Sequence, residues 1–138
     1  MPLQSHEDIL IFYKKLPVYN PQMEAGSPYI KKAVTNGDGN NYGKFDRIGT
    51  TQVNTGERFP RSVVKFPNDN HNSLHPTQKP LELCRYLIRT YSREGDLVLD
   101  NCCGSGTSLL AAKFEGRQYL GFELEQKYFR IASDRLAT

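Results

Sequence analysis

An α/β fold is predicted for the second half of this 138-residue sequence, and three observations predict it. From residue 75 onward, helical spacing of apolar residues alternates with short strand-like runs, in the order helix, strand, helix, strand, helix. The run "LVLD" ends in the glycine-rich loop "NCCGSG", and this loop leads directly into the second helix. Such alternation is typical of parallel strands joined by right-handed crossovers. We therefore expect one half of a nucleotide-type fold.

Each of these elements has a local reason in the sequence. Pro80 suits the first position of a helix, and the apolar residues after it recur at i, i+3, i+4 and i+7, which places them on one face. "LVLD" is a short apolar strand, and "GTSLLAAKFE" is a helix that Gly116 closes as a left-handed C-terminal cap. "QYLGFEL" is then the second strand, and "EQKYFRIASDRL" is a final amphipathic helix.

The first 74 residues have a different composition, rich in Gly, Pro and Asn. Only "DILIFYK" predicts a convincing strand there, and "RSVVKF" is a weaker candidate. The segment 17–74 is too long for a simple loop, and loops of that length are usually functional or disordered. We divide the chain into a segment with one strand (1–16), an irregular region (17–74) and the α/β half (75–138).

The overall composition is that of an ordinary soluble globular chain, with 38% hydrophobic and 24% charged residues. The net charge of +3 permits nucleic acid as a partner without demanding it. No apolar run approaches the roughly 20 residues that span a bilayer, and we expect no membrane association. Three cysteines without a secretory signal predict reduced thiols and a cytoplasmic protein. The histidines and cysteines lack metal-site spacing, so we expect no metal.

The glycine-rich loop is compatible with three kinds of ligand. A phosphate-binding loop needs Gly-Lys-Ser/Thr, but Thr107 follows Gly106 here. A dinucleotide loop needs a third glycine where Leu109 stands. S-adenosylmethionine carries an ammonium and a sulfonium but no pyrophosphate, so an acid beside the loop and a second acid for the ribose suit it. Asp100 and Glu123 end the two strands at these places, although singly each is equally compatible with a turn residue or an exposed charge.

The segments "HPTQKPLELCRYLI", "VLDNCCGSGTS" and "YLGFELEQKYFRIASDRL", in that order, resemble the C-terminal half of the β-class DNA amino-methyltransferases. Those enzymes, which include restriction–modification methyltransferases, methylate adenine N6 or cytosine N4. The resemblance covers nearly all of residues 75–138. It implies a partial Rossmann-like S-adenosylmethionine-dependent methyltransferase fold with an irregular N-terminal recognition region. It also implies a set of cofactor-binding residues: Thr77, Lys79, Pro80, Asp100, Asn101, Cys102, Gly104, Ser105, Gly106, Thr107, Glu123 and Leu124.

In the same family, the variable region before the cofactor half recognises the DNA target. Basic residues suited to phosphates occur there among aromatic residues suited to unstacked bases. We therefore predict that double-stranded DNA is a partner, contacted by Lys31, Lys32, Lys44, Arg47, Arg58 and Arg61. A solvated loop whose aromatic residues pack locally is the alternative.

The family's catalytic motif, an Asp/Asn/Ser-Pro-Pro-aromatic tetrapeptide that grips a flipped-out base, does not occur in this sequence. The string "GSPYI" lacks the second proline, so we assign no catalytic residue. We expect a truncated site-specific DNA methyltransferase that is inactive until a partner supplies the motif. We also expect that the chain self-associates, or that a second polypeptide carrying the missing half completes its sheet. The competing interpretation is a non-catalytic remnant that binds DNA or cofactor. Adenine and cytosine remain equally open as targets.

Overall fold

A computed structural model describes residues 6–32, 50–67 and 73–137 of the chain. It forms two compact units. One consists of Pro21–Lys65, and the other joins Met1–Asn20 to Phe66–Thr138. Within the described ranges, no helix is long and apolar enough to cross a membrane. The cysteines Cys84, Cys102 and Cys103 are free thiols.

The unit Pro21–Lys65 is built from two short antiparallel ladders. Strand β1 (Glu24–Ala25) pairs with β4 (Glu57–Arg58), and β2 (Tyr29–Lys31) pairs with β3 (Gln52–Asn54). Arg58 of β4 connects the two ladders. Its guanidinium carbon lies 4.9 Å from the centre of the Tyr29 ring, and its nitrogens donate to the side chain of Asn54 and to the Ser27 carbonyl. Such a cation–π contact together with hydrogen bonds fixes a side chain internally.

The second unit contains the predicted α/β elements. They are α1 (Leu81–Tyr91), β5 (Leu97–Asp100), α2 (Thr107–Phe114), β6 (Gln118–Gly121) and α3 (Gln126–Ala137). Strands β5 and β6 are parallel, in a register that runs from Leu97 opposite Gln118 to Asp100 opposite Gly121. The carboxyl ends of both strands therefore lie side by side at one edge, which is the edge where α/β sheets bind their ligands.

The core of this unit lies between one face of β5 and the helices α1 and α2. Ile88, Ala111 and Ala112 are buried, and Val98 of β5 packs against them. The two alanines have small side chains, which lets α1 and α2 pack closely. Glu115, only 11% exposed, joins these helices by accepting from Arg85 and Arg89 at 2.6 and 2.8 Å. Burial raises the pKa of Glu115, but the two guanidinium groups outweigh it, and the pKa is lowered from its usual value.

The opposite face of the two strands is apolar and exposed. The parallel register and the alternation of side chains place Leu97, Leu99, Leu120 and Phe122 on this face. Their exposed fractions are 59%, 61%, 46% and 56%. Contiguous apolar surface of this kind marks an interaction site more often than scattered exposed residues do.

Several predicted element boundaries were wrong. The "DILIFYK" segment forms no strand, and its apolar side chains, such as Leu10 and Phe12, are exposed. An extended segment becomes a strand only where a neighbour completes its hydrogen bonds, and the described part of the chain pairs none with it. "RSVVKF" also forms no strand. The second strand of the α/β half ends at Gly121, and Pro80 is the N-cap of α1 rather than its first helical residue.

Candidate functional site

The glycine-rich loop lies between β5 and α2, at the carboxyl edge of the two strands. Gly104 and Gly106 have φ angles of +55° and +76°, in the left-handed region that favours glycine. Gly104, Ser105 and Gly106 are buried, so this part of the loop packs against the rest of the unit and does not project into solvent. The N–H of Gly106 donates to the Cys103 carbonyl at 2.8 Å, which closes the turn into α2.

Glu123, two residues beyond the carboxyl end of β6, holds this loop in place. Its Oε2 accepts the N–H of Gly104 at 2.7 Å, and its Oε1 accepts the N–H of Glu125 at 2.8 Å. The pKa of Glu123 is lowered, mainly by the Glu125 N–H and also by the Gly104 N–H. A carboxylate that accepts backbone N–H groups is stabilised in its charged form. The loop therefore carries a fixed negative charge at its edge.

Asp100 anchors the other end of the loop. Its Oδ1 accepts the N–H of Cys102 at 3.1 Å, and its Oδ2 accepts the hydroxyl of Ser108 in α2. These contacts are those of a turn aspartate, one of the two roles that the sequence left open. They do not exclude the other role, a contact with a cationic ligand group, since a carboxylate has about four acceptor positions. A contact of Asp100 with a cationic ligand group stays a prediction.

The segment 74–78 contacts the loop from a third side. The hydroxyl of Ser105 donates to Oε1 of Gln78 at 2.7 Å, and the same oxygen accepts the N–H of Leu74 at 3.2 Å. The His75 ring covers Gly104 so closely that a Cβ there would lie 3.2 Å from the ring. Sequence reasoning did not identify Gln78 as a loop contact. Its only signal was its place in the "HPTQKP" motif, because 27 residues separate it from Ser105.

The remaining predicted cofactor residues occupy varied positions around this loop. Thr77 contacts Nδ1 of His75 through its N–H and its hydroxyl, whereas Lys79 forms an ion pair with Glu7 at 2.7 Å. Leu124, directly after Glu123, is 97% exposed. The others lie where the elements already described place them: Pro80 before α1, Asn101 and Cys102 exposed at the start of the loop, and Thr107 buried at the start of α2.

The predicted DNA-contacting residues divide into three groups. Lys31, Lys32 and Arg61 are exposed in the unit Pro21–Lys65. Arg58 is instead committed to the internal contacts with Tyr29, Ser27 and Asn54 described above. The predictions for two further residues, Lys44 and Arg47, lie outside the described residues.

Comparisons with known proteins identify similar sequences and structures. A family model described as a DNA methylase matches residues 2–134. Over 62 aligned residues the chain is 45% identical to the type II methyltransferase M2.DpnII of Streptococcus pneumoniae. This alignment covers 45% of this chain and 23% of that protein. The chain therefore spans less than a third of this curated relative.

Two solved structures are also similar. The M1.HpyAVI complex with S-adenosylmethionine (SAM) superposes with a TM-score of 0.50 and 39% identity, covering 55% of this chain and 37% of that one. The PvuII cytosine-N4-specific DNA methyltransferase superposes with a TM-score of 0.51 and 27% identity, covering 56% and 32%. These similarities confirm the predicted α/β methyltransferase fold.

The close approach of α3 to the loop generates a stability prediction. A Cβ on Gly106 would lie 2.9 Å from the Cβ of Ala132, whereas nothing lies within 4 Å of one on Gly95, whose φ is +80°. We expect Gly95→Ala to cost about 1 kcal/mol through its backbone angle alone. Gly106→Ala should cost about 2–4 kcal/mol, because overpacking is added to a similar strain.

Urea unfolding of both variants measures these free energies. Adding Ala132→Gly to Gly106→Ala should reduce the effect of the glycine substitution. Equal losses in the Gly95 and Gly106 variants would contradict a packing role for Gly106.

Proposed function

The chain belongs to the DNA methylase family, and from this premise we propose that its α/β unit binds SAM for methyl transfer to an exocyclic amino group of adenine or cytosine in DNA. The observation that carries the proposal is the loop at Gly104–Gly106, held by Glu123 at the carboxyl ends of two parallel strands. An acid at the end of the strand after a glycine-rich loop suits a ribose hydroxyl.

The residues present fit this ligand. Because a carboxylate has about four acceptor positions, Glu123 can hold the loop and accept from a ribose hydroxyl at the same time. The exposed Leu124 beside it offers an apolar surface for the adenine ring. Asp100, at the end of the other strand, is the nearest predicted acid for the ligand's ammonium group. Bound SAM supplies a methyl group on a sulfonium, and this unit holds it in place.

We also propose that another segment or chain completes the catalytic site. The 138 residues contain no Asp/Asn/Ser-Pro-Pro-aromatic string, the motif that grips the target base in the family. The bare apolar face of β5 and β6, formed by Leu97, Leu99, Leu120 and Phe122, supports such an association. A second copy of this chain can cover that face, but it also lacks the tetrapeptide, so the motif itself comes from a different polypeptide or from another segment of the protein.

Double-stranded DNA is the proposed substrate, approached by the unit Pro21–Lys65. Lys31, Lys32 and Arg61 are exposed and suit phosphate contacts, and the basic residues Lys44 and Arg47 belong to the same proposal. Arg58 is left out of this proposal, because its guanidinium group stacks on the Tyr29 ring within the unit. We infer a cytoplasmic location from the three free thiols.

A second candidate is a binding module without catalysis. The observation that favours it is the same missing tetrapeptide. Methyl transfer to DNA after mixing with a chain that carries the tetrapeptide supports the enzyme. Cofactor binding without transfer in any such mixture supports the module.

The ribose role of Glu123 predicts a specific loss of affinity. Glu123→Gln should weaken SAM binding by about tenfold or more, because one charged acceptor is lost both to the loop and to the ligand. Glu125→Gln is the matched control, since only the backbone of Glu125 contacts Glu123. Isothermal titration measures both dissociation constants. Equal affinity in the two variants would contradict the site.

The DNA role of the lysines predicts a change in salt dependence. Lys31→Gln combined with Lys32→Gln should lower the slope of log affinity against log salt by about 2, because each lysine neutralises one phosphate and so releases about one counterion. Lys14→Gln with Lys15→Gln removes an equally adjacent and exposed pair in the other unit, and it should leave the slope unchanged. Anisotropy of a labelled duplex across a salt series measures both. Equal slopes in the two double variants would exclude Lys31 and Lys32.

The apolar sheet face predicts self-association of the purified chain in sedimentation velocity. Leu99→Lys should shift the population toward monomer, because a charge on this face opposes its burial. Ile30→Lys, at a similarly exposed aliphatic residue of β2, should leave the distribution unchanged. A monodisperse monomer at every concentration of the unsubstituted chain would count against self-association.

A further inference from the structure

One face of α3 packs against the glycine-rich loop. Tyr128, Ala132 and Arg135 follow each other at i, i+4 and i+7, so they lie along one side of the helix. The Tyr128 ring centre lies 4.2 Å from that of His75, and Ala132 packs against Gly106. Each of the three residues therefore meets a different part of the loop or of the segment that covers it.

Arg135 makes the polar contacts of this face. Its Nη1 lies 2.6 Å from the carbonyl oxygen of Ser105 and 3.1 Å from the hydroxyl oxygens of both Ser105 and Thr107. Ser105 is only 2% exposed, and Thr107 is also buried. A hydrogen bond from a charged donor to a buried acceptor is stronger than one between neutral groups. The middle of the loop is thus tied to the last turn of α3.

The contact extends beyond the loop. The Ser105 hydroxyl that accepts from Arg135 donates to Gln78, and Gln78 accepts from the N–H of Leu74. Arg135, Ser105 and Gln78 therefore link three segments that are far apart in the sequence. Burial lowers the pKa of Arg135, but a guanidinium stays protonated at neutral pH, so the link keeps its charge.

The loop needs such a restraint because two of its residues are glycines at positive φ, and glycine has the widest choice of backbone conformations. A ligand that meets a loosely held loop loses affinity, since part of its binding free energy is used to order the loop. We propose that Arg135 is a positioning residue, which holds the loop in its ligand-binding conformation before SAM arrives. This inference rests on the proposed function of the same site.

The first measurement compares ligand affinity among variants of α3. We expect Arg135→Gln to weaken the binding of S-adenosylhomocysteine by about tenfold, the effect of losing one charged hydrogen bond. Arg135→Lys, which keeps a charged donor, should stay within about threefold of the unsubstituted chain. Arg130→Gln makes the same charge change at an exposed position of the same helix and should have no effect. Unfolding curves establish that all variants are folded.

The second measurement reports the loop without any ligand. Cleavage after Arg93 and Lys113 releases a peptide that carries both Cys102, which is exposed, and Cys103, which is partly buried. Cys102 should be alkylated first in every variant, so the rate of the second adduct measures access to Cys103. We expect this rate to rise several-fold in Arg135→Gln and to stay unchanged in Arg130→Gln.

These two measurements separate the possible failures. An unchanged second-adduct rate in Arg135→Gln would overturn the proposal, and so would an unchanged affinity. A lysine variant as weak as the glutamine variant would also overturn it, because the loss would then come from packing and not from the charged donor. Failure of the unsubstituted chain to bind SAM or S-adenosylhomocysteine would contradict the proposed function instead. The alkylation rates would still decide whether Arg135 orders the loop.

Discussion

The hydrogen bond from the Gly104 N–H to the Glu123 carboxylate is the interaction on which the site depends. It joins the loop after one strand to the end of the next, and it exists because β5 and β6 are parallel and in register. An antiparallel neighbour would place its carboxyl end at the other edge of the sheet. The same carboxylate is the group proposed to bind the ribose, so one side chain both holds the loop and contacts the ligand.

Close packing of small residues makes this arrangement possible. Gly106 leaves room for Ala132 of α3, and Gly121 at the end of β6 leaves room for Leu109 and Cys103. The loop is consequently enclosed by α3, by the strand end and by the segment around Gln78. Gly104, Ser105 and Gly106 are all small and buried, and their size lets the neighbouring side chains approach the loop this closely.

The sequence predicted the α/β half well, because its helices and strands depend on local patterns. The strand Leu97–Asp100 and the cap at Gly116 lie where they were expected. The strand proposed in "DILIFYK" was wrong, since strand formation depends on a partner that no local pattern contains. Arg135 and Gln78 were missed for the same reason: their contacts with Ser105 join residues about 30 positions apart, which neither periodicity nor turn chemistry encodes.

A crystal structure of this chain with S-adenosylhomocysteine decides whether the folded loop and Glu123 together form a SAM site. We expect a ribose hydroxyl hydrogen-bonded to Glu123, with the Gly104–Glu123 hydrogen bond and the Arg135 contacts to Ser105 retained. A ligand bound away from Glu123, or a loop that rearranges to admit the ligand, would show that these residues do not form the site.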